Sequence, residues 1–352
     1  MNLAFVRAML AGSLLAVPTH AAPIQLGQQF FNKDWAAACD NTISCEAVSL
    51  LGDGQDENTP TATLSRSGDG AGTVVIGVSL AEPRGDRYRL FIDGRFVNGG
   101  ALAKGEYSIR LEGPEALKLA RAMARGRKLV VQGADGARLG ELSLYGTAAA
   151  FTRIDALQNR AGTRSALFAT GRKALRARSA ELPVILAQRI GKQEAIPDAG
   201  TIVRLVESSV CAGERIGVTE DSAYSLGKHA GNFMALVMLS CGNGAYNFSS
   251  APFVGTSRDG RKWSFAPARF DYPETTAAKM GGVNLLVNSG WDADSQRISS
   301  YAKGRGLGDC GSAETYVWDG AMFRLVDAYA MDECRGSTEW MRLWTAKVDF
   351  RD

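Results

Sequence analysis

Hydrophobic and polar residues alternate along much of this chain with the period of two that marks half-buried strands. Thr73–Leu80 (TVVIGVSL) and Tyr88–Ile92 (YRLFI) are β-branched and aromatic runs, and each predicts a strand. Asp93-Gly94, between YRLFI and RFV, has the chemistry of a two-residue hairpin turn. Phe31 and Trp35 fall on one face of an alternating strand that runs into a Cys-Asp-Asn turn. The polar, glycine-rich residues 52–72 read as an exposed loop.

A helical period replaces the alternation in two places. Gly113-Pro114 opens the first helix: Pro114 suits the first helical position and Glu115 the positive end of the dipole. Leu117, Ala120, Met123 and Ala124 share a face, and Gly126 ends it. Lys128–Gln132 and Glu141–Tyr145 predict a strand pair around Asp135-Gly136, and a second helix runs from Thr147 to Asn159 with Ala150, Phe151, Ile154 and Leu157 inward.

The alternation returns after residue 198. Thr201–Glu207 (TIVRLVE) reads as a strand, and Phe233–Leu239 as a buried strand stopped by Cys241-Gly242-Asn243-Gly244. Tyr246 and Phe248, then Trp263 and Phe265, keep the period of two. Tyr316–Trp318, Asp319-Gly320 and Met322–Val326 form the clearest hairpin in the chain. These elements predict an α+β fold, mainly antiparallel β, in two domains. The first, residues 22–160, is β-sandwich-like with one or two helices, and the second, residues 199–352, is a disulfide-stapled β domain.

Charge separates the two. Residues 160–192 hold eight basic side chains (Arg160, Arg164, Arg172, Lys173, Arg176, Arg178, Arg189 and Lys192) against the single acid Glu181. With Leu167, Ala174 and Leu175 as a narrow apolar face, residues 161–198 predict a basic helical linker. It reads as a solvated connection, with contact to anionic lipid as the alternative.

The chain's start and its cysteines set the compartment. Arg7, the apolar run Ala8–Val17 and the small-residue site Thr19-His20-Ala21 make residues 1–21 a cleavable secretory signal, with the periplasm as the destination. No later stretch is apolar for the roughly 20 residues that a membrane-spanning helix needs. The six cysteines, Cys39, Cys45, Cys211, Cys241, Cys310 and Cys334, then predict disulfides. No C-x-x-C spacing occurs, and His229 is the one histidine beyond the signal, so zinc is disfavoured. Pairing sequence neighbours gives Cys39–Cys45, Cys211–Cys241 and Cys310–Cys334. Loop-closure entropy assigns them about 2.4, 3.7 and 3.5 kcal/mol respectively.

A length of 352 residues, 45% hydrophobic and 22% charged, suits a globular protein of two domains, and a net charge of +3 does not argue for a nucleic-acid partner.

Candidate chemistry concentrates between Trp291 and Gly336. There is no G-x-S-x-G elbow, and the S-x-x-K matches at Ser225/Lys228 and Ser300/Lys303 sit beside Gly227 and Gly304, in loop-like sequence. Asp292, Asp294 and Asp309 could offer oxygen donors to calcium, but Lys303 occupies the twelfth position where an EF-hand needs Glu. Lys303-Gly304-Arg305-Gly306-Leu307-Gly308-Asp309 could form an anion nest, or its glycines could let the backbone pass close under a disulfide. Asp292, Asp294, Asp309 and Glu314 are the candidate carboxylates for glycosidic cleavage.

Particular segments carry two resemblances. The order helix, ARGRKLVVQ, turn, ELSLYGTAAAFTRID, with Trp35 and Cys39 before it, is similar to the invasion-associated locus B proteins exported by many proteobacteria. The set CDN, CAGERIGVTEDSAYSL, CGNGAYNFSSAPFV, YAKGRGLGDCG, YVWDGAMFRLV and ECRG with Trp340 resembles a proteobacterial domain-of-unknown-function family of exported six-cysteine proteins. That resemblance implies a periplasmic location and intact disulfides, and it carries no activity and no cofactor. The expectation is a non-catalytic envelope protein that binds another envelope protein or an anionic ligand through Asp292, Asp294, Lys303, Arg305 and Asp309. The alternative is a carboxylate-dependent hydrolase acting on envelope glycan or peptide.

Overall fold

Trp35–Cys39 (WAAAC) is buried along its whole length, and the two faces of this one strand look into different cores. The computed structural model describes residues 23–351 except for short stretches at 53–54, 57, 82–84, 103–105, 177–179, 192–193, 216–219 and 273–278. The signal expected over residues 1–21 lies outside the described residues.

Trp35–Cys39 is the second strand of a six-stranded antiparallel sheet, in the order Phe30–Asn32, Trp35–Cys39, Cys45–Ser49, Thr61–Arg66, Val74–Ser79, Ser108–Glu112. A four-stranded antiparallel sheet, Arg138–Ser143, Lys128–Gly133, Arg87–Ile92, Arg95–Ala101, shares its core. Helices α1 (Gly113–Met123) and α2 (Thr147–Leu157) add Leu119, Met123, Phe151 and Ile154 to it. Trp35 meets Phe151 edge to face at 5.9 Å. Asp93 (φ 49°) and Gly94 (φ 80°) make the expected tight hairpin, with both central residues in the left-handed region.

The C-terminal half is a second pair of sheets. One runs Ser222–His229, Asn232–Asn243, Phe248–Ser257, Ser264–Pro267, and the other runs Gly290–Asp292, Arg297–Lys303, Gly311–Trp318, Phe323–Met331, Met341–Thr345. Leu236 and Met238 from the first face Ile298, Tyr316, Trp318 and Leu325 from the second. The outer face of the second sheet is covered twice. At one place the parallel pair Val184–Gln188 and Lys347–Arg351 packs Ala187 on Val317 and Val326. At another, Met331, Met341 and Leu343 pack on Ala36, Ala38 and Val48 of the first sheet. All three disulfides join sequence neighbours: Cys39–Cys45, Cys211–Cys241 and Cys310–Cys334. The chain is therefore mainly antiparallel β with helices, as its sequence pattern predicts.

Four local expectations fail, each for a physical reason. Residues 52–72 are not one exposed loop: Thr61–Arg66 alternates Ala62, Leu64 and Arg66 inward and pairs on both edges, with Cys45–Ser49 and Val74–Ser79. Thr201–Glu207 is not a strand but the body of helix α3 (Ala199–Ser208). Asp198 comes after Pro197 and caps the helix, its carboxylate accepting the Thr201 N–H at 2.7 Å, so the apolar residues Ile202, Leu205 and Val206 are spaced for one helical face. The basic residues 161–198 hold no helix where they are described. The fully buried Asp155 accepts the N–H groups of Leu167, Phe168 and Ala169, which a helix would spend internally. Arg160, itself buried, donates to the Asp69 and Gly70 carbonyls, and Leu167 sits in the N-terminal core. Finally, Phe31 and Trp35 do not share a strand face. Lys33 takes a left-handed φ of 55°, so Asn32 pairs with Trp35 across a hairpin, and Phe31 joins the core on the opposite side from Trp35.

Charged groups lock the seam between the halves. The buried Asp40 accepts Arg342 Nε at 2.8 Å on one oxygen, and the N–H groups of Thr42 (2.8 Å) and Ser44 (3.0 Å) on the other. Glu46 takes the Arg342 N–H at 2.8 Å, and burial raises its carboxyl above the ordinary value. Arg335 donates to Asp34 at 2.6 Å and to the Leu51 and Lys33 carbonyls.

Asp40 is buried but Arg342 is 32% exposed, so removing the carboxylate leaves a partly solvated charge and the Thr42 and Ser44 N–H groups without their acceptor, a cost of about 1–3 kcal/mol. Asp40→Ala is expected to lower the urea unfolding free energy by about that much. Arg110→Ala, from the exposed pair with Glu112, should change it by less than about 1 kcal/mol. Equal effects of the two substitutions would show that the seam is not held this way.

Glu314 gives a pH-dependent prediction. It is 4% exposed, its Oε2 has no hydrogen-bond partner, and burial raises its carboxyl from 4.5 to about 7. The folded chain holds this proton more tightly than the unfolded chain does. The stabilisation is therefore complete below 4.5 and is lost as pH rises through about 7. Thermal unfolding at pH 5 and pH 8 should show the native chain losing up to about 3 kcal/mol more than Glu314→Gln over that interval. Parallel pH profiles for the two proteins would count against it.

Candidate functional site

The strand Arg297–Lys303 separates the five candidate residues into two groups. Seven residues at about 3.3 Å each put its ends roughly 20 Å apart. Asp292 ends the strand Gly290–Asp292 and Asp294 stands in the turn that follows it, while Lys303 ends Arg297–Lys303, and Arg305 and Asp309 lie in the loop that leads to Gly311–Trp318. The structure therefore does not bring the two groups together. Among the described residues, no group of three or more His, Cys, Asp or Glu side chains is placed to hold a metal ion.

At the far end the charges serve each other. Asp309 is fully buried, and its carboxylate accepts Arg305 Nε at 2.7 Å, Arg305 Nη2, and the Gly336 N–H at 2.6 Å. The Arg305 guanidinium holds the Asp309 carboxyl below the ordinary carboxylate range. The loop's N–H groups turn inward as well: Gly304 donates to the Cys310 carbonyl at 2.8 Å and Gly308 to that of Arg305 at 3.0 Å. A Cβ on Gly304 would stand 2.6 Å from the Cys310 sulfur, so this glycine lets the backbone pass under the Cys310–Cys334 disulfide.

The loop is also wired to the other sheet. Asn247 donates to the Lys303 carbonyl at 2.8 Å and accepts its N–H at 3.1 Å, while Asn288 donates to the Tyr301 carbonyl at 2.9 Å. Outside this frame Tyr301 stacks on Trp340 at 4.5 Å, with the Lys303 ammonium 6.0 Å from the Tyr301 ring.

The near end is open. Asp292 accepts the N–H groups of Asp294 (2.9 Å) and Ser295 (3.3 Å), and these bonds with the Ser295 hydroxyl hold its carboxyl below the ordinary range. The same turn contributes Trp291, Ala293 and Gln296 to a cleft of about 350 Å³. Tyr224 and Ser225 form the opposite wall, and Ile190 and Gly191 close one side. The Tyr224 and Trp291 rings lie 6.4 Å apart, inclined by 37°. Two polar side chains in the wall are already engaged. Gln296 exchanges two hydrogen bonds with the Ile190 backbone, at 2.7 and 3.0 Å, and the Ser225 hydroxyl accepts the Gly227 N–H at 3.1 Å.

The two S-x-x-K matches lie on strands. Lys228 extends over the Phe233 ring at 4.3 Å, and the buried Ser300 hydroxyl donates to the Val287 carbonyl and accepts the Val287 N–H. Sequence reasoning missed Tyr224 and Ile190 because the cleft is assembled from three segments well separated along the chain. The one local signal was Trp291, an aromatic residue beside a polar turn.

A family model described as "Protein of unknown function (DUF1176)" matches residues 29–347, and the chain belongs to that family. It is also 32% identical over 116 residues to "Uncharacterized protein YpfG" of Escherichia coli (strain K12), a stretch covering 32% of this chain and 33% of that relative. The match therefore spans about a third of the relative's length. No solved structure matches the chain.

Proposed function

We propose that this DUF1176 member is a periplasmic, non-catalytic binding protein of the cell envelope, and that the Tyr224–Trp291 cleft holds one sugar ring of an envelope glycan. Three disulfides point to an extracytoplasmic compartment, and no helix among the described residues is long and apolar enough to cross a membrane. The apolar run before residue 21 and the likeness of about residues 29–160 to invasion-associated locus B proteins support the periplasm in particular.

One observation carries the binding reading. The cleft is a small aromatic hollow of about 350 Å³ whose Gln296 and Ser225 are already bonded to backbone, and no carboxylate or histidine lines it, so it offers shape and aromatic surface. A pyranose ring has an apolar C–H face that suits an indole or phenol ring, and hydroxyl groups at its edge. Trp291 and Tyr224 supply the first partner, and the carboxylates of Asp292 and Asp294 stand in the adjoining turn for the second. Lys303, with Tyr301 and Trp340 behind it, remains on the surface at the other end of the strand and would meet an anionic extension of the glycan or a protein partner.

A hydrolase using carboxylates is the second reading, and Glu314 favours it. Burial raises this acid to about 7, in the range of a general acid, but it does not line the cleft.

Calorimetric titration with soluble peptidoglycan fragments and neutral oligosaccharides tests both. Binding should be weakened at least tenfold by Trp291→Ala and left unchanged by Glu314→Gln. Unaltered binding by Trp291→Ala and Tyr224→Ala would sink the siting. Turnover of the glycan that Glu314→Gln abolishes would establish the hydrolase instead.

A further inference from the structure

Elsewhere in the C-terminal half, α3 and the segment from Arg261 to Phe265 line a second cleft of about 460 Å³. Its charge is one-sided. Arg204 of α3 and the consecutive Arg261 and Lys262 line it, and no acidic side chain does. None of the three has an ion-pair partner among the described residues. Two ionised carboxylates, Asp259 and Asp198, stand just outside the lining and offset the three cations only in part. Asp259 accepts the N–H groups of Arg261 at 2.9 Å and Lys262 at 2.8 Å, which hold its carboxyl down to about 2, and Asp198 caps α3. Like charges gathered around a concavity repel one another and focus a positive potential into it, so an entering anion gains from all three at once.

The walls are built rather than draped. Arg204 donates to the buried Thr201 hydroxyl at 2.9 Å, which orients the guanidinium and leaves its remaining donors free for a ligand. Trp263 and Phe265 lie against the backbone of Gly255, where an added Cβ would come within 3.0 Å of the indole and 2.7 Å of the phenyl ring. Beneath them Phe265 packs on a core that contains Leu205 and the Cys211–Cys241 disulfide, which ties the chain just after α3 to the strand Asn232–Asn243. None of these residues belongs to the sugar cleft.

We propose that this cleft is a binding site for a phosphomonoester attached to an aromatic or apolar group. The phosphate sits among Arg204, Arg261 and Lys262, and the attached group lies on Trp263. Arg supplies the paired donors that match phosphate geometry, and the indole supplies the flat apolar wall. Such a group could be a soluble ester or the phosphate of a lipid headgroup, and the two differ only in the group that the phosphate carries.

The test titrates the full mature chain with phenyl phosphate, with inorganic phosphate, and with phosphatidic acid vesicles. Phenyl phosphate should bind, at least tenfold more tightly than inorganic phosphate, and more weakly as salt is raised. Arg204→Gln combined with Arg261→Gln should reduce that affinity at least tenfold while leaving the thermal midpoint within a few degrees. Lys262→Glu, a single exposed change, should also weaken it and checks the site independently of the helix. Co-sedimentation with the vesicles that these variants abolish would identify the lipid-borne form, and phenyl phosphate binding without it the soluble form. The site is overturned if phenyl phosphate does not bind, or binds the variants as well as the native chain. Equal affinity for phenyl phosphate and inorganic phosphate would remove Trp263 from it. Trp291→Ala should leave all of these values unchanged, so this site and the sugar cleft stand or fall separately.

Discussion

The structure depends on the strand Met341–Thr345, near the end of the chain, closing onto the first sheet. Met341–Thr345 is the edge of the C-terminal five-stranded sheet, and its Met341 and Leu343 lie in the same core as Ala36, Ala38 and Val48. Burying Trp35–Cys39 on both faces requires small side chains toward the second core, which accounts for Ala36 and Ala38 within WAAAC. Apolar packing alone would tolerate sliding along this seam. The buried carboxylate of Asp40 on Arg342, and Arg335 on Asp34 and two carbonyls, fix one register, because any shift would strand a desolvated charge. With that seam set, the sheet carrying the candidate residues is covered on its outer face and packed on its inner one. Its strand ends and turns are left to face solvent.

What the sequence disclosed about this fold was what nearby residues decide. The Asp-Gly turns, the proline at the head of α1, the inward face of α2 and all three disulfides depend on neighbours within about thirty residues, and all are found. The failures arose where a distant or single polar group outweighed the pattern. In TIVRLVE the apolar residues fit a strand and a helix alike, and the Asp198 cap decides between them. In the basic segment, Asp155 captures three successive N–H groups from a different element, a contact that no periodicity reveals. Lys33 in the left-handed region turns one expected strand into two.

The same contrast separates the two ends of the Trp291–Gly336 stretch. Its far end has the residue types of an anion loop, glycines between basic side chains, but Arg305 is matched by Asp309, and the N–H groups of Gly304 and Gly308 are used within the loop. Glycine there answers a steric demand, the close passage of backbone under a disulfide, and that demand looks the same in sequence as a phosphate cradle. The near end looks ordinary in sequence, a Trp before an Asp-rich turn. It becomes a cleft only when Ile190 and Tyr224 arrive from elsewhere.

Residue chemistry therefore misleads about sites in this protein unless the partners of each charge are counted. Asp309 and Arg305 are conspicuous and satisfied by one another. Arg204 is more than fifty residues from the adjacent Arg261 and Lys262 in sequence, yet the three line one concavity with no acidic side chain in its wall. A charge neutralised inside the fold contributes to stability and offers little to a ligand. A charge held in place by a neutral group, as Thr201 holds Arg204, keeps its field for whatever enters. On that criterion Arg204 differs from Arg305: its guanidinium is oriented by a hydroxyl, whereas that of Arg305 is matched by a carboxylate.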